Sequence, residues 1–455
     1  TGKIIPNNMK FLKNRKLGYI IQAQCNATKK IFKLKNIPFR QFVFNKSTRA
    51  PCPYEGKAGI RSLLEGMQDF GWKPVFEGSN PISMQKDGCS ITLEPGGQVE
   101  LAGAQLQNIH QTCQEVHNHL HDIKKIGNKL GVGMIGVGFT PQWKREEMDW
   151  MPKGRYNIMR SYMPKKGSLG IDMMLRTCTV QVNLDFESEA DMVKKFRTAM
   201  ALQPITTAIF SDSPFLEGHP SGYLSYRSHV WEDTDPDRCG MLPFVFEDGM
   251  GFERYVDYIL DVPMYFVFRE GKYIDVSGQS FRDFLKGDLP TLPGIKPNLG
   301  DWSDHLTTAF PEVRLKQYLE MRGADGGPWR RLCALPALWT GLLYDSISLD
   351  CAWDLVKDWS HEERAYLRKE VPKQAMKTPF RNRTVREVAL ETLDIATSGL
   401  RTRNRLDSVG TDETGFLGTI YEIVNTGRTP AEEKLEKFYG EWGENIRPLF
   451  DEYAY

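Results

Sequence analysis

No aspartate or glutamate occurs before Glu55, no two cysteines stand in a CxxC spacing, and no apolar stretch reaches membrane length. Eight cysteines at irregular spacing among 455 residues exclude a small disulfide scaffold and the familiar zinc ribbons. The longest nearly uninterrupted apolar run, Leu332 to Leu343, is well short of the ~20 residues a membrane helix requires. Also missing are the P-loop pattern GxxxxGK[ST], the zinc-protease pattern HExxH and the hydrolase elbow GxSxG. With 40 % apolar and 26 % charged residues, what remains has the composition of a globular enzyme, expected in a reducing intracellular compartment.

Charge is distributed unevenly. Residues 1–54 hold twelve Lys/Arg and no acid; subtracting those twelve from the net +1 leaves about −11 for the rest. The first forty residues are also rich in Ile, Lys and Asn. A nucleic-acid arm would need a folded basic module beside it, and a transit peptide would be Arg- and Ser-rich. Lys, Asn and Ile have AT-rich codons, so residues 1–40 are expected to be a basic segment foreign to the folded domain, disordered or translated from non-coding DNA. Neither nucleic acid nor membrane is an expected partner.

From Tyr54 the pattern becomes regular. Apolar residues at helical spacing mark Gly59–Phe70, and Asp87-Gly88 is a hairpin turn between strands at 83–85 and 90–93. Helices are expected at Leu106–Leu130, Glu187–Phe210 and Phe252–Leu260, strands at Gly131–Thr140, Arg176–Phe186 and Arg314–Arg322, a hairpin at 264–276, and mostly helix beyond Trp329. Paired strands early and helices late give an α+β class, and one large domain fits better than three small ones.

The strands carry the functional signal. With period two, Arg176–Phe186 sets Thr179, Gln181, Asn183 and Asp185 opposite Cys178, Val180, Val182 and Leu184; Arg314–Arg322 sets Arg314, Lys316, Tyr318, Glu320 and Arg322 on one face. In the segment EPGGQVELA, Gln98 and Glu100 share a side, and Glu94 precedes a Pro-Gly-Gly turn that brings it to the same side. A half-solvated sheet would explain one such strand. Carboxylates, amides and arginines together suit oxygen-ligated Mg²⁺ and phosphate, hence phosphoryl transfer from ATP. Three further features are weaker: the glycine-rich RGADGGPW (322–329), which would let a backbone approach phosphate; His117, His119 and His121, without a carboxylate frame; and the charged, aromatic, aperiodic segment Tyr226–Phe244, expected to touch substrate.

The segments LEPGGQVELAGAQLQNIHQTC, MPKGRYNIMRSYMP, RTCTVQVNLDF, RSHVWEDTDPDR, FPEVRLKQYLEMRGADGGPWRRLCALPALW and FDEYAY together resemble plant-type glutamate–cysteine ligase over residues 41–455. The resemblance implies a glutamine-synthetase-like antiparallel funnel backed by helices. It implies ATP-driven joining of L-cysteine to the γ-carboxylate of L-glutamate through a γ-glutamyl phosphate, the first step of glutathione synthesis. Carried over by motif, Glu94, Glu100 and Glu320 would ligate two or three Mg²⁺ with Gln181 nearby, and Arg322 would contact the transferring phosphate. Arg155, Arg227 and Trp329 would hold glutamate, and Tyr265 the cysteine carboxylate. Cys113 and Cys333 match one regulatory disulfide pair; Val276 and Thr291 replace a second. A monomer or homodimer in cytoplasm or plastid is expected. One departure stands out: the family's GTEHE-x-F-x-F strand keeps only its tail, Phe42-Val43-Phe44, and its two glutamate positions fall on Pro38 and Arg40. The chain is therefore expected to be impaired, the alternatives being a non-catalytic paralogue or a related glutamate–amine ligase.

Overall fold

The structure, a computed structural model, describes residues 34–455. The expected foreign segment therefore lies outside the described residues up to position 33. Its remainder, 34–40, is paired in both main sheets, so the expected boundary at residue 40 falls inside a strand.

Ten strands build the frame: β1 (Leu34–Asn36), β2 (Pro38–Asn45), β3 (Lys73–Glu77), β4 (Asn80–Lys86), β5 (Cys89–Leu93), β6 (Val99–Ala102), β7 (Val132–Ile135), β8 (Val182–Leu184), β9 (Val313–Leu315) and β10 (Leu319–Met321). Six form one sheet in the order β3-β4-β5-β6-β2-β7 and four a second in the order β1-β8-β10-β9, with every neighbouring pair antiparallel. The Asp87-Gly88 turn between β4 and β5 has both residues at positive φ, 48° and 82°, the left-handed geometry that a two-residue hairpin demands. The sheets meet at the start of β2. Arg40 N donates to Thr179 O at 3.0 Å and Gln181 N to Pro38 O at 2.8 Å, so residues 38–40 pair with β6 on one side and with 179–181 on the other. Pro38 is tolerated because it opens its strand, where no ladder N–H is needed.

Helices close the back. α1 (Ile109–Leu130) starts at the Asn108 cap, stops at left-handed Gly131, and buries Ile109, Val116, Ile123 and Ile126. α2 (Gly154–Tyr162) lies across the sheet junction. α3 (Glu189–Phe210) is buried on every side from Thr198 onward and runs through the core, where α4 (Trp329–Leu343) is equally buried from Arg331. No single helix among the described residues is long and apolar enough to cross a membrane.

Three expected strands take a different form. Arg176–Phe186 begins as the end of a helix (Gly170–Arg176), and only Val182–Leu184 joins a ladder. Both faces are buried from Thr177 to Leu184, and on the polar one Gln181 and Asn183 are turned into a cavity rather than to solvent. Arg314–Arg322 is a hairpin rather than one strand, closed by Lys316 N to Tyr318 O at 2.8 Å. The inferred common face survives this reversal because paired residues share a side of the sheet. Gly131–Thr140 is a strand only to Ile135, after which Gly138 and Phe139 pair with Asp212 and Thr177 instead.

Candidate active site

A cavity of about 280 Å³ opens where the two sheets meet. Its floor is two rows of cross-strand neighbours. In one sheet Arg40 stands opposite Glu100 and Pro38 opposite Ala102; in the other Arg314 stands opposite Glu320, which faces Asn183. Gln181, in the stretch 179–181 that joins the sheets, also lines the cavity. The lining is completed by Arg155, Tyr156 and Met159 of α2, with Met173, Met174, Trp231 and Phe310.

Glu94 reaches the cavity through the turn at 95–97. Glu94 N donates to Gln98 O at 2.9 Å, Gly96 N to Gln98 Oε1 at 3.0 Å, and Gly97 takes φ 80°. A Cβ at Gly96 would lie 2.2 Å from Leu175 O, so only glycine lets the turn pass this backbone. Gln98 itself is not in the cavity; its amide donates to the carbonyls of Leu175 and Thr177 at 2.9 and 3.0 Å. Its part is to fix the turn.

Each carboxylate is held by a guanidinium. Arg40 Nη2 lies 3.0 Å from Glu94 Oε2, and Arg40 Nε donates to Glu100 Oε2 at 2.7 Å. Arg314 Nε donates to Glu320 Oε2 at 2.6 Å, while Arg322 Nη1 donates to Glu320 Oε2 at 3.1 Å and to Gln181 Oε1 at 3.3 Å. Burial works against every one of these charges. Against that burial, Arg314, Lys316 and Arg322 hold the Glu320 carboxyl far below the usual carboxylate range. Glu94 is likewise lowered, burial being outweighed by Arg40, Lys153, Arg155 and Arg322. Glu100 is raised by burial and by neighbouring Glu94 and Glu320. Burial and the adjacent Arg314 push Lys316 down to about 8.

Of the residues singled out in the sequence, Glu94, Glu100, Arg155, Gln181, Glu320 and Arg322 therefore line one cavity. Three others do not. Arg227 is buried beneath the wall, donating to Arg322 O at 2.8 Å and to Gly323 O at 3.4 Å. Tyr265 is fully buried under the Arg238 guanidinium, 3.9 Å from its ring centre. Trp329 opens α4 and is 44 % exposed away from the cavity.

Within the glycine-rich segment, residues 323–327 are not a phosphate cradle but a buried support. Asp325 takes hydrogen bonds from Ser213 Oγ, Ser225 Oγ and Asp212 N at 2.6, 2.9 and 2.9 Å, and a Cβ at Gly323 would lie 2.4 Å from Gln203 Oε1. Segment Tyr226–Phe244 places only Trp231 in the cavity; its Asp235–Arg238 pair is buried scaffold. His117 and His121 are exposed, and His119 is buried against Phe39 with its pKa pushed down to about 3 by burial. The Cys113 and Cys333 thiols hydrogen-bond to each other and are both free.

Sequence reasoning missed Tyr156, Thr307 and Thr308 as lining residues. Asn183 lies in the cavity as its place on the polar face of its strand implied, whereas the threonines come from a helix end that carries no local signal.

Magnesium does not fit the donor set as it stands. Glu94 and Glu100 are paired to Arg40, Pro38 has no donor to offer, and no three Asp, Glu, His or Cys among the described residues cluster to hold a metal ion.

Residues 41–452 match the family described as Glutamate-cysteine ligase family 2 (GCS2). The chain is 56 % identical to the chloroplastic glutamate–cysteine ligase of Nicotiana tabacum over 416 residues, 91 % of this chain and 78 % of the relative. It is 57 % identical to that of Arabidopsis thaliana over the same length and shares. Among solved structures, the glutamate–cysteine ligase of Francisella tularensis in complex with AMP superposes with a TM-score of 0.55 at 11 % identity, covering 93 % of this chain and 90 % of that one, which shows a shared fold.

Proposed function

Because the chain belongs to glutamate-cysteine ligase family 2, we propose that its cavity joins L-cysteine to the γ-carboxylate of L-glutamate with ATP as co-substrate, at a rate well below that of its relatives. One observation carries the reading: Glu94, Glu100, Gln181, Glu320, Arg155 and Arg322, drawn from four separate segments, line a single cavity. The assigned reaction has two steps. A γ-carboxylate oxygen of glutamate attacks the terminal phosphorus of ATP, the bond to ADP breaks, and an acyl phosphate forms. The cysteine amine then attacks the acyl carbon, phosphate leaves, and the amine gives up a proton.

Arg155, on α2, lines the same cavity as Arg322 and suits the α-carboxylate of glutamate through its planar fork. Arg322 and Lys316 suit the transferring phosphoryl group, whose charge must be neutralised as it moves. Arg314 acts through Glu320. Arg227 and the 323–328 loop hold Arg322 from behind, so the carried-over role of Arg227 becomes positioning. The slow rate follows from Arg40, which ties up two carboxylates that the resemblance assigns to metal. Given the chloroplastic relatives, a plastid is the assigned compartment.

Purified chain is assayed for phosphate release and γ-glutamylcysteine by mass spectrometry, beside the tobacco enzyme. Product at a rate lower by about 10²-fold or more is expected, the scale of losing one main electrostatic stabiliser. A rate equal to the tobacco enzyme would refute the impairment. Turnover with an amine other than cysteine, or no binding of glutamate and nucleotide, would refute the assignment.

A further inference from the structure

Arg40 has an unusual position for a charged side chain at a substrate cavity: both of its ionic partners are largely shielded from solvent and line the same cavity. Its guanidinium spans Glu94 and Glu100 at 3.0 and 2.7 Å, and all three side chains are at most 17 % exposed. Its backbone is as constrained as its side chain. Arg40 N donates to Thr179 O, its carbonyl accepts from Cys178 Sγ at 2.9 Å, and its cross-strand partner is Glu100 itself. The group is not a surface arginine that swings aside when a ligand enters.

A divalent ion bound to the same two carboxylates would have to occupy the same space. Magnesium sits ~2.0–2.1 Å from its oxygen ligands and demands near-octahedral geometry. A guanidinium already within hydrogen-bond distance of both oxygens displaces it by volume and repels it by charge. Glu320 cannot release either carboxylate from this arrangement, being itself held by Arg314 and Arg322.

We propose that the Arg40 guanidinium is the resident cation of the Glu94–Glu100 pair, so that phosphate- and carboxylate-bearing ligands enter this cavity with no divalent ion on those two side chains. The charge along the lining agrees. Arg40, Arg155, Arg314, Lys316 and Arg322 stand against only Glu94, Glu100 and Glu320, leaving a surplus of two positive charges. Such a cavity attracts anions without help from a metal. The inference deepens the functional reading, accounting for the slow turnover assigned above, but its test uses neither substrate nor turnover and so fails or succeeds separately from it.

The probe is Mn²⁺ alone, followed by electron paramagnetic resonance and titration calorimetry on the full chain and on Glu94→Gln, Arg40→Gln and Arg40→Gln/Glu94→Gln, each checked for fold by circular dichroism. In the unsubstituted chain, Mn²⁺ binding tighter than about 1 mM is expected to be absent or unchanged by Glu94→Gln. Arg40→Gln is expected to gain one Mn²⁺ at least about tenfold more tightly, a gain of ~1.4 kcal/mol, and the double variant to lose it. Mn²⁺ binding by the unsubstituted chain that Glu94→Gln abolishes would overturn the inference even if no Arg40 variant folds. A folded Arg40→Gln that gains no site would overturn it as well.

Discussion

Replacing Arg314 with methionine keeps the length of the side chain and removes its charge. In the structure the Arg314 guanidinium donates through Nε to Glu320 at 2.6 Å, and through Nη1 to the carbonyls of Thr307 and Ala309 at 2.8 and 3.0 Å. The Arg314 and Glu320 side chains are only 8 % and 5 % exposed, so solvent screens little of this. Truncating one member of a buried ion pair costs about 3–5 kcal/mol, since the stranded carboxylate remains in low dielectric. Arg322 stays 3.1 Å from the same oxygen, which places the loss near the lower end, ~3 kcal/mol. Two carbonyls also lose their donor, at about 1 kcal/mol each. These effects share partners and do not sum strictly, so the expected loss is ~3–5 kcal/mol. The pH dependence has a definite sign. Glu320 is held below its unfolded value, ~4.3, so its stabilisation is complete above that pH and is lost as pH falls through the lower folded value. The gap between the two proteins is therefore widest near neutrality and narrows in acid. Urea unfolding followed by tryptophan fluorescence at pH 7.5 and near pH 3.5 measures both. A loss below ~1 kcal/mol at pH 7.5, or a gap that widens in acid, would refute the reasoning.

Three further outcomes follow from the same geometry. Lys316, brought down to about 8, loses its positive charge as pH rises through that value; nucleotide affinity, measured by calorimetry, should weaken across that interval and Lys316→Met should abolish the step. Gly96→Ala forces a methyl group against Leu175 O; a destabilisation of ~1–3 kcal/mol is expected, with weaker glutamate binding because Glu94 rides on the same turn. Mild oxidation should join Cys113 to Cys333 with loss of two hydrogens, seen as one linked peptide pair on non-reducing mass spectrometry and absent from Cys113→Ser.

How much of this was legible before the structure depends on which interactions are local. The period-two pattern of 314–322 placed Arg314, Lys316, Tyr318, Glu320 and Arg322 together, and they do line the cavity, although the segment is a hairpin: reversal at Lys316–Tyr318 preserves the alternation. The turn that delivers Glu94 was legible from Pro-Gly-Gly, because glycine at φ 80° is a property of the backbone. Arg227, Tyr265 and Trp329 were carried over by motif, and a motif does not say which way a side chain points. Arg227 sits one layer too deep, its guanidinium spent on the carbonyls of Arg322 and Gly323. The glycines of 322–329 were read as room for phosphate when they are room for Gln203 and for the backbone of Val137. Both readings of a glycine are the same in sequence, and only tertiary packing separates them.

The charge of the site shows the same division, with a physical consequence. Beyond residue 54 the chain carries a net charge of about −11, which by itself would repel glutamate and ATP. Charges farther than a Debye length, ~8 Å at physiological salt, are largely screened, so the ligand responds to what lines the cavity. There the cations outnumber the carboxylates. Composition alone gives that local sign wrongly, and the strand faces alone give a balance, Arg314, Lys316 and Arg322 against Glu94, Glu100 and Glu320. Arg155 of α2 tips that balance, and Arg40, two residues beyond Pro38 on β2 and placed opposite Glu100 by the register of the sheet, widens the surplus to two. The sheet register therefore decides whether this cavity meets a phosphate with a metal ion or with an arginine. A substitution that slipped β2 by one residue would turn Arg40 to the opposite face and leave Glu94 and Glu100 without their cation.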